Sequence, residues 1–141
     1  HNTFLGDVRV HTLVPNAAGS LTQMTPSSGA NYTTVDELPY STADYVSGTS
    51  GQTDLYATSD LPGGAGTIYG VQTNAMVKKT DAGNISGKTA IKSGSTTYYG
   101  TTTATGTSDT TITDTRQVDP NTSTAWTSSG VNAIEIGIGA V

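Results

Sequence analysis

Hydrophobic and polar residues alternate along this chain in short stretches that turn-forming residues separate. From Val8 to Val14, apolar or β-branched positions alternate with Arg9, His11 and Leu13, the period of two expected of a strand with one buried face. The stretches that predict strands are 4–14, 21–25, 52–58, 67–80, 85–93, 96–100, 110–118 and 134–138. Asp81-Ala82-Gly83-Asn84 predicts a hairpin turn that pairs residues 85–93 with 67–80.

These short, regularly spaced strands define the predicted fold. No helix of normal length is indicated, and turn signals recur about every ten residues, which is typical of an antiparallel sandwich. The sequence therefore predicts an all-β, antiparallel β-sandwich of the jelly-roll kind, as a single domain over residues 1–141.

The last segment, from Asp119 to Val141, is predicted to close the core. It holds the only tryptophan, Trp126, beside the most apolar run of the chain. Thr127 or Ser128 can N-cap one helical turn over residues 129–133. That turn would place Trp126 as a plug over one end of the sandwich. The alternating Gly137 and Gly139 leave one face of the final strand bare, which predicts a packing surface for a neighbouring backbone.

Composition excludes several classes of partner and site. The chain carries six Lys and Arg against eleven Asp and Glu, for a net charge of −5, so nucleic acid is not an expected partner. There is no cysteine, which excludes disulfides and thiolate metal sites. No apolar run approaches the ~20 residues of a membrane-spanning helix. We therefore expect no nucleic-acid partner and no membrane insertion.

Two patterns could carry metal chemistry. His1 and His11 suggest a copper-binding histidine brace, but on one strand they would stand some 30 Å apart at ~3.3 Å per residue. The carboxylates Asp36, Glu37, Asp44, Asp54 and Asp60 could offer oxygen ligands to Ca²⁺, yet their spacing is not that of a calcium loop, and solvated loop carboxylates are the favoured interpretation. No phosphate loop, serine elbow or zinc helix is present. The sequence therefore predicts no catalytic residue, no cofactor and no metal, and the chain is not expected to be an enzyme.

Seven tyrosines dominate the aromatic residues. Tyr98 and Tyr99 are the candidate contacts for a glycan, since exposed rings can stack on sugars. The favoured interpretation is that the tyrosines form the rim of the core and subunit contacts, and Tyr45 is a candidate interface residue together with Trp126, Gly137 and Gly139.

Several segments together resemble a widespread group of tailed-bacteriophage virion structural proteins. These are Asn2-Thr3-Phe4-Leu5-Gly6-Asp7-Val8-Arg9-Val10, Val35-Asp36-Glu37 with Asp44-Tyr45, the run from Ile68 to Gly83, and Asp119-Pro120 through Gly137. In that group the first segment generally follows a laminin-G or concanavalin-like half. This sequence starts at His1 without that half, so we expect a shortened relative or a cleaved product. The resemblance also weakens the copper hypothesis, because His1 falls where relatives have ordinary chain.

The resemblance implies a non-enzymatic component of the phage particle, in the tail, a fibre or head decoration, on the exterior of the virion. Its expected partners are other virion structural proteins and further copies of itself in a homo-oligomer. The alternative is a carbohydrate-binding module that recognises host surface glycans.

Overall fold

The computed structural model describes residues 8–141, and within them the fold is all-β with antiparallel strand pairing throughout, as the sequence predicts. In chain order the strands are β1 (Pro15–Thr22), β2 (Thr25–Pro26), β3 (Val46–Ser47), β4 (Thr53–Thr58), β5 (Val71–Val77), β6 (Ser86–Ser93), β7 (Thr96–Tyr99), β8 (Thr103–Ala104), β9 (Thr110–Arg116), β10 (Val118–Asp119), β11 (Thr124–Ala125) and β12 (Glu135–Ala140). A 3₁₀ turn (Asn31–Thr34) and a five-residue helix, α1 (Ser128–Asn132), complete the regular elements. Nowhere in residues 8–141 is there a helix long and apolar enough to cross a bilayer.

The largest unit is a six-stranded sheet in the order β1-β4-β12-β6-β7, with β8 also paired to β6. β12 lies at its centre and pairs without a register break along β4 on one side and β6 on the other. A two-residue turn joins β6 to β7, and Gly94 takes φ +61° there, a conformation that costs glycine little.

β5 and β9 form a separate two-stranded ribbon of seven consecutive residue pairs. It packs against one face of the six-stranded sheet, where Ile112 and Val77 approach Gly87 of β6. Along β5 the odd-numbered residues from Val71 to Val77 are less exposed than the even-numbered ones, which confirms the predicted inward face.

The best-covered core lies beneath the helical turn. Ile91, Trp126, Val131 and Ile134 form a buried cluster. α1 begins where predicted, because the Thr127 hydroxyl accepts a hydrogen bond of 3.0 Å from the Gly130 amide and so satisfies one amide of the first turn.

Two parts of the predicted strand order are wrong. Residues 8–14 belong to no strand, and the first strand is instead residues 15–22, where turn residues suggested a break. β6 does not form a hairpin with β5 but pairs with β12, β7 and β8. Five of the eight β6 residues are buried, because neighbouring strands flank both edges of β6 and the β5–β9 ribbon packs against part of one face.

Candidate subunit interface

A groove of about 1910 Å³ opens between the six-stranded sheet and the β5–β9 ribbon. Tyr56, Thr58, Ile136 and Ile138 contribute to its lining from the sheet, and all seven residues of β5 border it. Its rim is formed by residues 8–15 and by most of residues 34–46. We call this feature the apolar groove.

Exposed apolar side chains concentrate on the apolar groove. Ile136 and Ile138 stay partly exposed although β12 is the central strand. Ten large hydrophobic side chains are exposed within residues 8–141, and seven of them border the groove. These seven are Val8, Val10, Leu38, Tyr40, Tyr45, Tyr69 and Met76. Exposed apolar side chains gathered around one groove are typical of binding surfaces.

Three predicted interface residues, Gly137, Gly139 and Tyr45, border the groove, and among them Tyr45 is the one with a large exposed side chain. Its side chain is 52% exposed, while its backbone is held by Ser27, whose hydroxyl accepts from the Tyr45 amide at 3.1 Å. The Ser27 amide in turn donates to the Tyr45 carbonyl at 2.8 Å. The ring is thus presented to solvent from a fixed backbone.

Gly137 and Gly139 face the chain's own sheet. A Cβ at Gly137 would collide with the carbonyl oxygen of Asp54 on β4, and one at Gly139 would lie 3.1 Å from Thr53 Oγ1. The backbone that a Cβ would meet is that of β4, the strand paired with β12 in the same sheet, and packing of a further backbone on the outward face stays a prediction. Glycine at 137 is what allows β4 and β12 to lie this close.

Trp126 lies inside the chain, with 4% of its surface exposed. Its indole Nε1 donates to the Arg116 carbonyl at 2.9 Å. This hydrogen bond satisfies the one polar atom of the ring, which burial would otherwise leave without a partner. The side chain packs with Ile91, Val131 and Ile134 and presents no ring face to a partner.

The candidate glycan rings, Tyr98 and Tyr99, both sit beside cations. Lys88 Nζ lies 4.0 Å from the Tyr99 ring centroid and Arg116 Cζ lies 5.9 Å from that of Tyr98. Tyr98 also packs against the buried cluster. These cation–π contacts occupy ring surface that a sugar would otherwise use.

On the opposite face of β12, Glu135 joins Ser20 and Lys92 in a polar cluster. Glu135 Oε2 accepts from both the amide and the hydroxyl of Ser20 at 2.7 Å, and Oε1 accepts from Lys92 at 3.0 Å. Lys92 Nζ also donates to Ser20 Oγ at 2.8 Å. Burial alone would raise the pKa of Glu135, but the hydrogen bonds from Ser20 and the charge of Lys92 together hold that pKa below its ordinary value.

This cluster has the residue types of a serine nucleophile with a base, but its geometry favours cross-linking of strands. A carboxylate with a lowered pKa is a weak proton acceptor, and Lys92 is held by an ion pair with it. Because Ser20, Lys92 and Glu135 lie on β1, β6 and β12, the cluster spans the sheet and ties three strands together.

Asp54 is the largest departure from the predicted solvated carboxylates, since it is fully buried. Its carboxylate accepts from the amides of Gln23 and Met24 at 2.6 and 2.7 Å, and also from Asn31 Nδ2 and the Tyr56 hydroxyl. Burial, followed by the Asp54 charge and hydrogen bond, raises the pKa of Tyr56 far above its ordinary value. Four donors on one carboxylate fasten the chain after β1, and the 3₁₀ turn, to β4.

Among residues 8–141, the candidate metal ligands weighed from the sequence are not brought together. His11 lies on the exposed segment before β1, and His1 falls outside the described residues. Within residues 8–141 no three His, Cys, Asp or Glu side chains are grouped closely enough to hold a metal ion.

In comparisons with known proteins, no family model, curated protein or solved structure matches the chain.

Proposed function

We propose that this chain is a non-enzymatic structural subunit of a bacteriophage particle, located on the exterior of the virion and acting through contacts with other copies and with other virion proteins. The observation that carries the proposal is the apolar groove, where seven of the ten exposed large hydrophobic side chains meet. An apolar surface that a folded chain leaves in water is stabilised when a partner covers it. Several segments, in the same order along the sequence, resemble phage virion proteins, and this resemblance is why we assign the interface to a phage particle.

We propose that the β-sandwich becomes complete only when chains assemble. The β5–β9 ribbon supplies two strands of a second layer over a six-stranded sheet, and the groove beside it has a volume of about 1910 Å³. A neighbouring chain that fills the groove would extend the ribbon into a full second sheet of the jelly-roll kind.

Substitution of two tyrosines of similar exposure can distinguish the assembly proposal from glycan recognition. Tyr45 borders the groove and Tyr99 does not; their exposed fractions are 52% and 40%. Self-association through the groove requires Tyr45, whereas glycan binding by the sheet's tyrosines requires Tyr99.

The test is sedimentation velocity of the wild type, Tyr45→Ala and Tyr99→Ala over a range of concentrations, with a glycan array on the same samples. We expect an oligomer in the wild type and in Tyr99→Ala, and weaker association in Tyr45→Ala because a buried aromatic contact is lost. Mass spectrometry of purified phage particles should detect the chain.

A wild type that stays monomeric at every concentration and is missing from particles would overturn the proposal. Glycan binding that Tyr99→Ala abolishes, with association unchanged in Tyr45→Ala, would favour the carbohydrate-binding module instead.

A further inference from the structure

We infer that the apolar groove is filled by a second copy of this chain, whose residues 8–12 add as a strand to the free edge of β5. This inference rests on the proposed function and names the partner and the contact. We call residues 8–12 the arm.

Within the described part of the chain, one edge of β5 has no strand partner and lies at the groove. Among residues 8–141 it pairs only with β9, and every β5 residue borders the groove, against only Thr111 and Thr115 from β9. The free side of the ribbon therefore opens into the groove. An edge with unpaired amides and carbonyls is a template for another extended segment.

The size of the groove fits a polypeptide strand better than a small molecule. Small-molecule pockets usually measure about 300–1,000 Å³, and this groove measures about 1910 Å³. A five-residue strand, at ~3.3 Å per residue, ~4.8 Å between strands and ~10 Å between layers, occupies roughly 800 Å³. The groove accepts such a strand together with side chains that come with it.

A polar atom in the groove wall also lacks a partner. The Thr58 side chain borders the groove, its residue is 9% exposed, and its buried Oγ1 makes no hydrogen bond within residues 8–141. A buried hydroxyl without a partner costs free energy, so this part of the groove wall is not fully satisfied within the described residues.

The arm has the sequence of a strand without belonging to one. Val8, Val10 and Thr12 alternate with Arg9 and His11, and β-branched residues favour strands. All five residues are exposed, with Val8 at 58% and Val10 at 91%. The next residue, Leu13, packs against the buried cluster and so fixes the base of the arm. The valine side chains of the arm itself stay exposed to water.

The exposed area of the chain argues for a second copy as the occupant. Monomeric proteins of 14.4 kDa expose about 6,800 Å², whereas this chain exposes 8325 Å². The excess of roughly 1,500 Å² per chain corresponds, for two chains, to the 2,000–5,000 Å² of obligate homodimers. An exchange of arms also makes each chain both donor and acceptor, as a symmetric pair requires.

Engineered cysteines test this contact cleanly, because the chain has none of its own. Val10→Cys and Ala75→Cys are prepared as separate proteins, mixed and oxidised, and the linked peptides are mapped by mass spectrometry. We expect a disulfide between Cys at 10 of one chain and Cys at 75 of the other. The matched control uses Val118→Cys in place of Val10→Cys, because Val118 is exposed and does not border the groove. It should give at least about tenfold less cross-link to position 75.

A charge on the arm provides the second measurement. Val10→Asp should raise the dissociation constant of the oligomer about tenfold or more, because a charge would enter an apolar groove, and Val118→Asp should leave it unchanged. An oligomer that persists in Val10→Asp, or a 10–75 disulfide that forms only within one chain when both cysteines are placed together, overturns the inference and leaves the proposed function standing. A wild type that never associates overturns the proposed function itself.

Discussion

The two halves of one short segment, residues 134–138, differ in what covers them. Ile134 is buried under Trp126 and Val131. Ile134, Ile136 and Ile138 all border the apolar groove. Ile136 packs against the same cluster yet stays partly exposed, and Ile138, four residues after Ile134, is partly exposed as well. Residue type is the same in both places, so the difference lies in the cover. A capped helical turn lies over one end, and among residues 8–141 no comparable element covers the other.

The comparison separates stability from association. Apolar area removed from water stabilises the fold in proportion to its burial, so the closed end should carry the stability of the isolated chain. Area left on the groove contributes only when another chain covers it, so the open end should carry association.

The largest expected effect comes from removing the cover of the closed end. Trp126→Ala should lower the free energy of unfolding by about 3–5 kcal/mol, the usual cost of truncating a buried aromatic side chain. Ile138→Ala, measured on dilute protein, should cost only about 1–2 kcal/mol, because its side chain is already partly hydrated. Urea denaturation followed by tryptophan-independent circular dichroism measures both. Equal losses in the two variants would erase the distinction between the ends.

A smaller effect is expected at the glycine between the two exposed isoleucines. Gly137→Ala places a Cβ against the Asp54 carbonyl of β4, and overpacking of this kind usually costs about 1–3 kcal/mol. The control is Gly66→Ala, where a Cβ meets no atom within 4 Å and the change should stay within about 0.5 kcal/mol. Thermal and chemical denaturation of the two variants should differ accordingly, and a stable Gly137→Ala would mean that β4 and β12 separate easily.

The smallest effect belongs to the polar face of β12 and depends on pH. The pKa of Glu135 is lowered in the folded chain by Ser20 and Lys92, so its ionised form stabilises the fold above the ordinary glutamate pKa. That contribution is lost as the pH falls from the ordinary value of 4.5 through the lowered one. Urea midpoints from pH 7 to pH 3 should fall less steeply in Glu135→Gln. The matched control is Glu37→Gln, the chain's other glutamate, and identical pH profiles for both variants would contradict a role for the cluster.

Local signals in the sequence were sufficient for the elements and insufficient for their partners. The alternation in β5 and β9, and the capped turn at Thr127, lie within a few residues, where propensity and capping act. Whether β5 pairs with β6 or with β9 depends on the burial of residues over the whole sheet. The turn-forming residues 81–84 carry no information about that burial. β1 is likewise a tertiary effect, because Gly19 lets that strand approach the Leu55 backbone despite its turn-like composition.

The candidate interface divides in the same way. Tyr45 could be predicted from composition and its loop, and it borders the groove. Trp126 and Gly137 were identified as packing residues, and their neighbours lie in the same chain, because a period or a bare face does not say whose backbone approaches it. The free edge of β5 and the buried Asp54 could not be predicted, since both depend on which strands pair; a carboxylate in the middle of the 52–58 strand was the available signal.

The central position of β12 has a consequence for synthesis of the chain. Residues 135–140 lie between β4 and β6, which were translated some forty to eighty residues earlier. The middle of the sheet therefore cannot assemble until residue 140 has left the ribosome, and such distant pairings close slowly compared with local ones. Until that moment the facing edges of β4 and β6 stay open, so the nascent chain carries more unpaired strand edge than the folded one.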